Sequence, residues 1–579
     1  MTDTTVIPTP ASPDVCSMSL LIDGSEVSGA FSVLSASVSN ELNRIPSASV
    51  QLLDGEASKQ TFAASDTDHF VPGKEIEIKL GYRGDTETVF KGIIVKHCVR
   101  IRRNGTRLSL ECRDKTVRMT RSSRSRYFTD TKDSEILDDL LDEYQLDGDV
   151  ATTRPSLKEV VQYDATDWDF LICRAEANGH VVAVRDGTVT IGPPSTSAEP
   201  KVTATFGTTV LELDAEIDAR WQVPGVKATA WSATDQELVE AEASEPSVTA
   251  SGNLSASDLS DVFGGDAQLV RHGGKLSEPE LQAWADGLLL KGRLAKVRGR
   301  VRFQGFAGVS AGDVVEVAGI GERLAGRQLV AGVRHSFSDG NWETDVSFGL
   351  SPEPYAVTYP VTATPAGGLV PSVNGLQIGI VTALNDPDGE GRIKVRMPLV
   401  STSQDGVWAR LATLDAGDGR GTYFRPEVDD EVVVGFFDSD PRFPVVLGQV
   451  HSTAKPAPEA ATDANDRKGY VSRSKLKLAF DDDKKLVVLE TPAGNRLSLS
   501  EDGKKVVLED QNGSSITLDD GGITLKSAKD ITLKASGDVK VEGTKVQITG
   551  QNVKAQGRSG TDITSSGTLT LKGSVVQIN

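Results

Sequence analysis

Over roughly the last hundred residues, apolar and polar positions alternate a few at a time and then break at a Gly, Ser, Asp or Asn corner. From Ile523 the chain reads ITLKSAKD, ITLKASGD, VKVEGTK, VQITGQN and, after a loop, LTLKGSV and VQIN. The unit restarts at Ile523, Ile531, Val539, Val546 and Val553, a period of seven or eight residues holding one short strand each. Alternation sends Ile531 and Leu533 to one face and Thr532 and Lys534 to the other. One chain folded as such a meander has a bare apolar face and two open edges. Three chains wound about a common axis bury both. The pattern therefore predicts an intertwined trimeric β-helix or β-prism over 474–579. Its expected interior is Ile523, Leu525, Ile531, Leu533, Val539, Val541, Val546, Ile548, Leu569 and Leu571. Gly537, Gly543 and Gly550 fall at corners, where positive φ or close packing favours Gly.

Upstream, the period-two pattern continues in longer strands. Residues 1–15 read as a loose arm. From Cys16 to about 120, strand-like runs (MSLLIDG, FSVLSASVSNEL, EIEIKLGY, VFKGIIVKHCVRIR, TRLSLECRD) are separated by Asp23-Gly24, Asp54-Gly55, Pro72-Gly73 and Asn104-Gly105, predicting a β-barrel or sandwich. Residues 121–200 mix elements. Ser134 is placed to cap a helix over about 135–145, an element carrying Asp167, Trp168 and Phe170 follows, and HVVAVRDGTVTIG is a hairpin turning at Asp186-Gly187. Residues 201–355 form a second β-rich stretch with a helix over about 278–294, capped by Ser277 with Pro279 in its first turn. A Pro- and Gly-rich linker (356–371) leads to five strands over 372–452, the length and count of a small OB-type barrel. A second linker (453–473) precedes the repeating tail.

Charge narrows the partners. Against 62 Lys and Arg stand 82 Asp and Glu, a net charge of −20. Such a balance argues against nucleic acid and against anchoring on an anionic membrane surface. Cys16, Cys98, Cys112 and Cys173 have no C-x-x-C spacing and read as free thiols in a reducing compartment. The N-terminus shows neither a basic n-region nor an apolar core, so the expectation is cytoplasmic assembly without a signal peptide.

Candidate chemistry is sparse. Gly308-Val309-Ser310-Ala311-Gly312 has the letters of a nucleophile elbow, but strand rather than helix follows it. The run Asp386 to Gly391 hints at a calcium loop, yet its twelfth position is Met397 and its flanks are strands, so a hairpin turn is expected. Asp481, Asp482 and Asp483 read as an exposed turn. None of the six histidines pairs at ligand spacing. No enzyme activity, cofactor or metal is therefore expected.

Residues 374–451 carry several linked motifs in one order: DPDGEGRIKVRM, VWARLATL, RPEVDDEVVVGFF and DSDPRFPVVLGQV. They resemble the OB domain of VgrG-type spike proteins at Asp386, Gly391, Arg392, Trp408, Pro426, Glu427, Glu431, Asp440, Pro441, Pro444 and Gly448. The runs ELNRIPSASVQLLDG and FVPGKEIEIKLGY are similar to the hub of that family, and the tail resembles its needle. The resemblance implies a mainly β chain: β-barrel hub domains with a few helices, an OB-fold barrel and a trimeric β-helix. It implies the central spike of a contractile injection machine. The homotrimeric hub adapts a hexameric inner tube and baseplate to a threefold needle, which touches the target membrane only transiently. A PAAR-type tip protein would dock on Val575, Val576, Ile578 and Asn579, and a cargo effector stays open as a further partner. The short needle most resembles the spike of extracellular phage-tail-like particles, released from or fired out of the cell. Two other readings stay open, a trimeric receptor-binding tail adhesin and a β-helical polysaccharide- or peptidoglycan-degrading enzyme.

Overall fold

A computed structural model describes residues 7–8, 15–27, 29, 31–103, 105–249 and 251–578. The chain divides into two units, 1–372 and 373–579. Among the described residues no helix is long and apolar enough to cross a membrane.

The first unit is organised by one thirteen-stranded sheet. Its central junction is long-range: strand Gly326–Ser338 pairs antiparallel with Val33–Glu41, matching Gly332 to Glu41 and Ser338 to Ser35. The two β-rich stretches read separately from sequence, 16–120 and 201–355, thus share a sheet. Under its first half lies a core that includes Val50, Leu52, Phe70, Ile78 and Leu108. Under its second half lie Val301, Phe303, Val315, Val330 and Val346, with Ile7 seated among them. The expected loose arm is therefore pinned at Ile7; residues 1–6 and 9–14, and the Asn104 half of one expected turn, lie outside the described residues. The turns at Asp23-Gly24 and Asp186-Gly187 have positive φ at both central positions, the type I′ geometry of two-residue hairpins.

Residues 121–200 pack helices Asp133–Glu143 and Asp167–Ala177 against short sheets. The first helix starts two residues before the expected boundary. Ser134 does not cap it. The Glu135 carboxylate instead accepts from Lys132 N (3.0 Å) and Thr131 Oγ1 (2.9 Å), moving the cap to Lys132, while Ser134 N donates to Thr153 Oγ1. Thr166 caps the second helix by accepting from Asp169 N. Helix Glu278–Leu294 begins after Ser277 as the sequence predicts, with Glu280 closing a capping box onto Ser277 N.

The second unit opens with a closed five-stranded barrel, in the order Gln377–Ala383, Ile393–Arg396, Val407–Leu411, Pro444–Gln449 and Glu431–Phe436, the last pairing back to the first. Closure removes both sheet edges and buries Val381, Ile393, Val395, Ala409, Val432, Val434 and Val446. After the barrel, seven five-residue strands from Arg467–Val471 to Gly522–Lys526 form an antiparallel meander, each paired with the next. Its first strand lies within the stretch read as a linker. Hairpin pairing with Lys477–Asp481 recruits it. From Ser527 to Ile578 no strand forms within the chain.

Candidate functional site

The meander's register assembles its most informative surface. Antiparallel neighbours point to the same face, and here they match apolar to apolar: Leu478 to Leu489, Phe480 to Val487, Leu489 to Leu497, Val487 to Leu499, Leu497 to Leu508, Val506 to Leu499. The run continues with Leu508 to Ile516, Val506 to Leu518, Ile516 to Leu525 and Leu518 to Ile523. Twelve apolar side chains thus line one face of six strands, with Tyr470 extending the row at its start. Within the chain this face stays open: Leu489 is 54% exposed, Leu508 50% and Ile523 72%, and the only buried apolar side chain of the meander is Val488, on the other face. An open apolar face of this extent marks an association surface.

The expected interior residues fall into two groups. Ile523 and Leu525 belong to this ladder. Ile531, Leu533, Val539, Val541, Val546, Ile548, Leu569 and Leu571 are exposed in segments without an intrachain strand partner, as are Val575, Val576 and Ile578; Asn579 lies outside the described residues. The reason offered for the corner glycines does not hold within the chain. Gly537, Gly543 and Gly550 do not adopt positive φ, and no atom comes nearer than 3.4 Å to a Cβ built on them. Sequence reading placed 474–579 in the trimeric needle but named no interior residue from Leu478 to Leu518. The signal was available, as alternating five-residue strands recurring about every ten residues.

The barrel residues singled out from sequence form two charge clamps. In the first, the Arg392 guanidinium forks onto Asp386, Nη2 to Oδ1 at 2.9 Å and Nε to Oδ2 at 3.0 Å. Asp386 also accepts from the backbone N–H groups of Asp388, Glu390 and Arg392. These donors hold its carboxyl far below the usual carboxylate range, the Arg392 hydrogen bonds contributing most. Gly391, at φ 74°, closes the turn, and Arg392 lies over the Trp408 ring at 6.0 Å. The loop that hinted at calcium is thus a hairpin turn whose leading carboxylate is occupied by arginine. In the second clamp, Arg442 Nε and Nη2 fork onto Asp440 at 3.0 and 2.6 Å. Pro441 follows Asp440 in that turn, and Gly448 pairs with Val433 beside a bulge at Leu447. Glu431 opens the closing strand opposite Ile380.

Glu427, beside buried Pro426, joins barrel to meander: it accepts from Arg473 Nη1 at 3.0 Å, and Phe424 packs on Tyr470 with ring centroids 4.8 Å apart. Lys455 Nζ adds a bond to Asp429 O. These contacts fasten the loop between Val407–Leu411 and Glu431–Phe436 to the first meander strand and the residues flanking it.

The remaining concentrations of polar chemistry are structural. Buried Asp167 is shared by Arg126, Tyr144 and Gln162, and buried Asp133 by Arg174 and Asn178. Gly308 to Gly312 is a loop in which Ser310 N donates to Asp313 and strand Val314–Ala318 follows, without the helix of a nucleophile elbow. All four cysteines are free, and burial pushes the Cys112 thiol up to about 12. Among the described residues no cluster of three His, Cys, Asp or Glu side chains could hold a metal.

A β-rich N-terminal unit, a closed barrel with Asp–Arg clamped turns and a meander with an open apolar face follow one another along the chain, and the last two overlap stretches similar to phage-baseplate and type VI secretion spike domains. Three family models match in the same order: Alg8 N-terminal domain over residues 12–339, type VI secretion system/phage-baseplate injector OB domain over 377–451, and phage baseplate V C-terminal trimerisation domain over 486–554. The first spans more than half of the chain, and the chain belongs to the Alg8 N-terminal domain family.

Among curated proteins, the chain is similar to the type VI secretion system spike protein VgrG3 of Vibrio cholerae, 33% identical over 104 residues, 16% of this chain and 10% of that protein. It is similar to VgrG1a of Pseudomonas aeruginosa, 27% identical over 193 residues, 30% of this chain and 29% of that protein. The matched stretches are therefore under a third of either relative's length. Among solved structures, a tail protein from Neisseria meningitidis MC58 aligns over 58% of this chain and 96% of its own, at 17% identity and a TM-score of 0.44. The fold assignment rests on the chain's own strand pairing and on the family models.

Proposed function

We propose that three copies of this chain assemble as the central spike of a contractile injection machine. The observation that carries this reading is the open apolar ladder from Leu478 to Leu525, which overlaps the stretch matched as a trimerisation domain, 486–554. Packing three such faces together removes about 25 cal/mol for each Å² of apolar surface taken from water. The segments beyond Ser527, whose strands find no partner within the chain, gain partners from the other two copies. In this assembly the N-terminal unit meets the inner tube and baseplate, adapting six-fold to three-fold symmetry. The needle pierces the target envelope, and Val575, Val576 and Ile578 seat a PAAR-type tip protein. The role is mechanical rather than enzymatic. Assembly takes place in the cytoplasm, and the machine is of the extracellular, phage-tail-like kind.

Electron microscopy of assemblies carrying the labelled chain tests this placement. The label is expected at the baseplate centre of a sheathed tube. A label on peripheral fibres would instead establish the adhesin reading, and release of fragments from cell-wall material by the purified protein would establish the enzyme. Tip docking has its own test: removing residues 575–579 abolishes capture of the tip protein, and unchanged capture refutes it.

A further inference from the structure

The net charge of the chain conceals a reversal at its distal end. Residues 467–525, the meander, contain ten basic and ten acidic side chains. Residues 526–579 contain eight basic and four acidic, a net charge of +4 in a chain of −20. The positions of these cations follow a rule. Six lysines each adjoin an apolar position of the alternation and so fall on the opposite face: Lys526 beside Leu525, Lys534 beside Leu533, Lys540 between Val539 and Val541, Lys545 before Val546, Lys554 after Val553 and Lys572 after Leu571. All six are exposed, and among the described residues none forms an ion pair within the chain. Even complete pairing with the four acidic residues leaves four cations per chain in excess.

We infer that this lysine ladder is a contact surface for an anionic lipid bilayer. The inference rests on the spike reading, because burying the apolar positions between three chains turns every lysine outward. Three chains then carry twelve excess cations along one shaft. The ladder is spread over successive units instead of gathered in one patch, which suits an extended polyanionic surface and not one compact protein. Its other polar positions include Thr, Ser, Gln and Gly with Asp530, Asp538, Glu542 and Asp562, and the 526–579 stretch holds no Trp, Tyr or Phe and a single arginine, Arg558. Single-stranded nucleic acid would need stacking platforms that this face lacks. Asp538 and Glu542 flank Lys540, so the excess charge is carried chiefly by Lys526, Lys534, Lys545, Lys554 and Lys572. The contact is electrostatic, hence reversible and salt-sensitive, as befits a shaft that passes through an envelope instead of staying in it.

Vesicle flotation of the full-length protein tests this. The protein is expected to float with phosphatidylcholine vesicles containing about 30 mol % phosphatidylglycerol at about 50 mM NaCl, to stay behind with pure phosphatidylcholine, and to be released at about 500 mM. Changing Lys534, Lys540, Lys545, Lys554 and Lys572 together to Gln is expected to weaken binding at least about tenfold without altering the sedimenting mass. Equal flotation with neutral vesicles, no flotation with anionic ones, an unaffected Gln variant, or tighter retention by duplex DNA than by anionic vesicles would overturn the inference. A trimer that ignores anionic vesicles sinks this inference alone; a chain that sediments as a folded monomer sinks the spike reading and this inference with it.

Discussion

The barrel and the meander that follows it are both built from short strands rich in Val, one with a single parallel pairing and the other antiparallel throughout, yet they solve the problem of apolar surface in opposite ways. The barrel closes on itself and takes Val381, Ile393, Val432, Val434 and Val446 fully out of water. The meander does not close. Its register stacks twelve apolar side chains on one face and leaves most of them open. Strand closure makes the first region complete in one chain; the second depends on copies of itself. The same alternation is therefore a folding signal in one place and an assembly signal in the other.

The largest expected effect comes from spoiling the open face. Leu489→Asp with Leu499→Asp places two charges in the middle of the ladder, where each leucine contributes about 1.5–3 kcal/mol when buried. Sedimentation should show trimers replaced by monomers while the barrel keeps its own unfolding transition. Retention of the trimer would show that the face is not the interface. The reciprocal change, Ile393→Ala in the closed barrel, should cost about 2–5 kcal/mol of barrel stability, read as a lowered thermal midpoint, with trimer mass unchanged. If it also dissolves the trimer, the two regions are not independent.

A smaller effect is expected at the first clamp. The Asp386 carboxyl is held low by Arg392, so its contribution is present above the ordinary carboxylate pKa of about 4 and is lost as pH falls towards its depressed folded value. Asp386→Asn should lower the barrel's midpoint modestly at neutral pH and flatten its decline in acid; an unchanged acid limb would argue that the clamp is ornamental.

At neutral pH the smallest effect concerns the N-terminal unit. Buried His335 is pushed down to about 4 by burial, with Nδ1 paired to Thr344 Oγ1. Its unfolded form takes up a proton near 6.5, so stability falls as pH drops from about 6.5 to about 4, by at most about 1.4 kcal/mol per unit. His335→Gln should remove that slope in denaturant titrations at several pH values, and an unaltered slope would assign it to other groups.

The sequence made the local features readable. Alternation identified Ile523 and Leu525 as members of an apolar face, linked motifs located the barrel, and Ser277 with Pro279 located a helix start. What it concealed depends on partners distant in sequence. No local pattern announces that Val33–Glu41 pairs with Gly326–Ser338, or that Ile7 joins the core that holds Phe303. The cap at Lys132 was hidden because a carboxylate three residues later outcompetes Ser134, whose N–H is drawn to Thr153. The ladder residues above Ile523 went unnamed because their strands recur about every ten residues, outside the seven-to-eight-residue rhythm of the tail. The lysines of that tail were legible singly, while the whole-chain charge masked their sum.

The account turns on where the meander's open face is covered, and the mass of the full-length protein in solution decides it. Sedimentation equilibrium across micromolar concentrations should return three times the 61.5 kDa chain mass, with Leu489 and Leu508 protected from solvent. A folded species of single-chain mass with those side chains already shielded would contradict it.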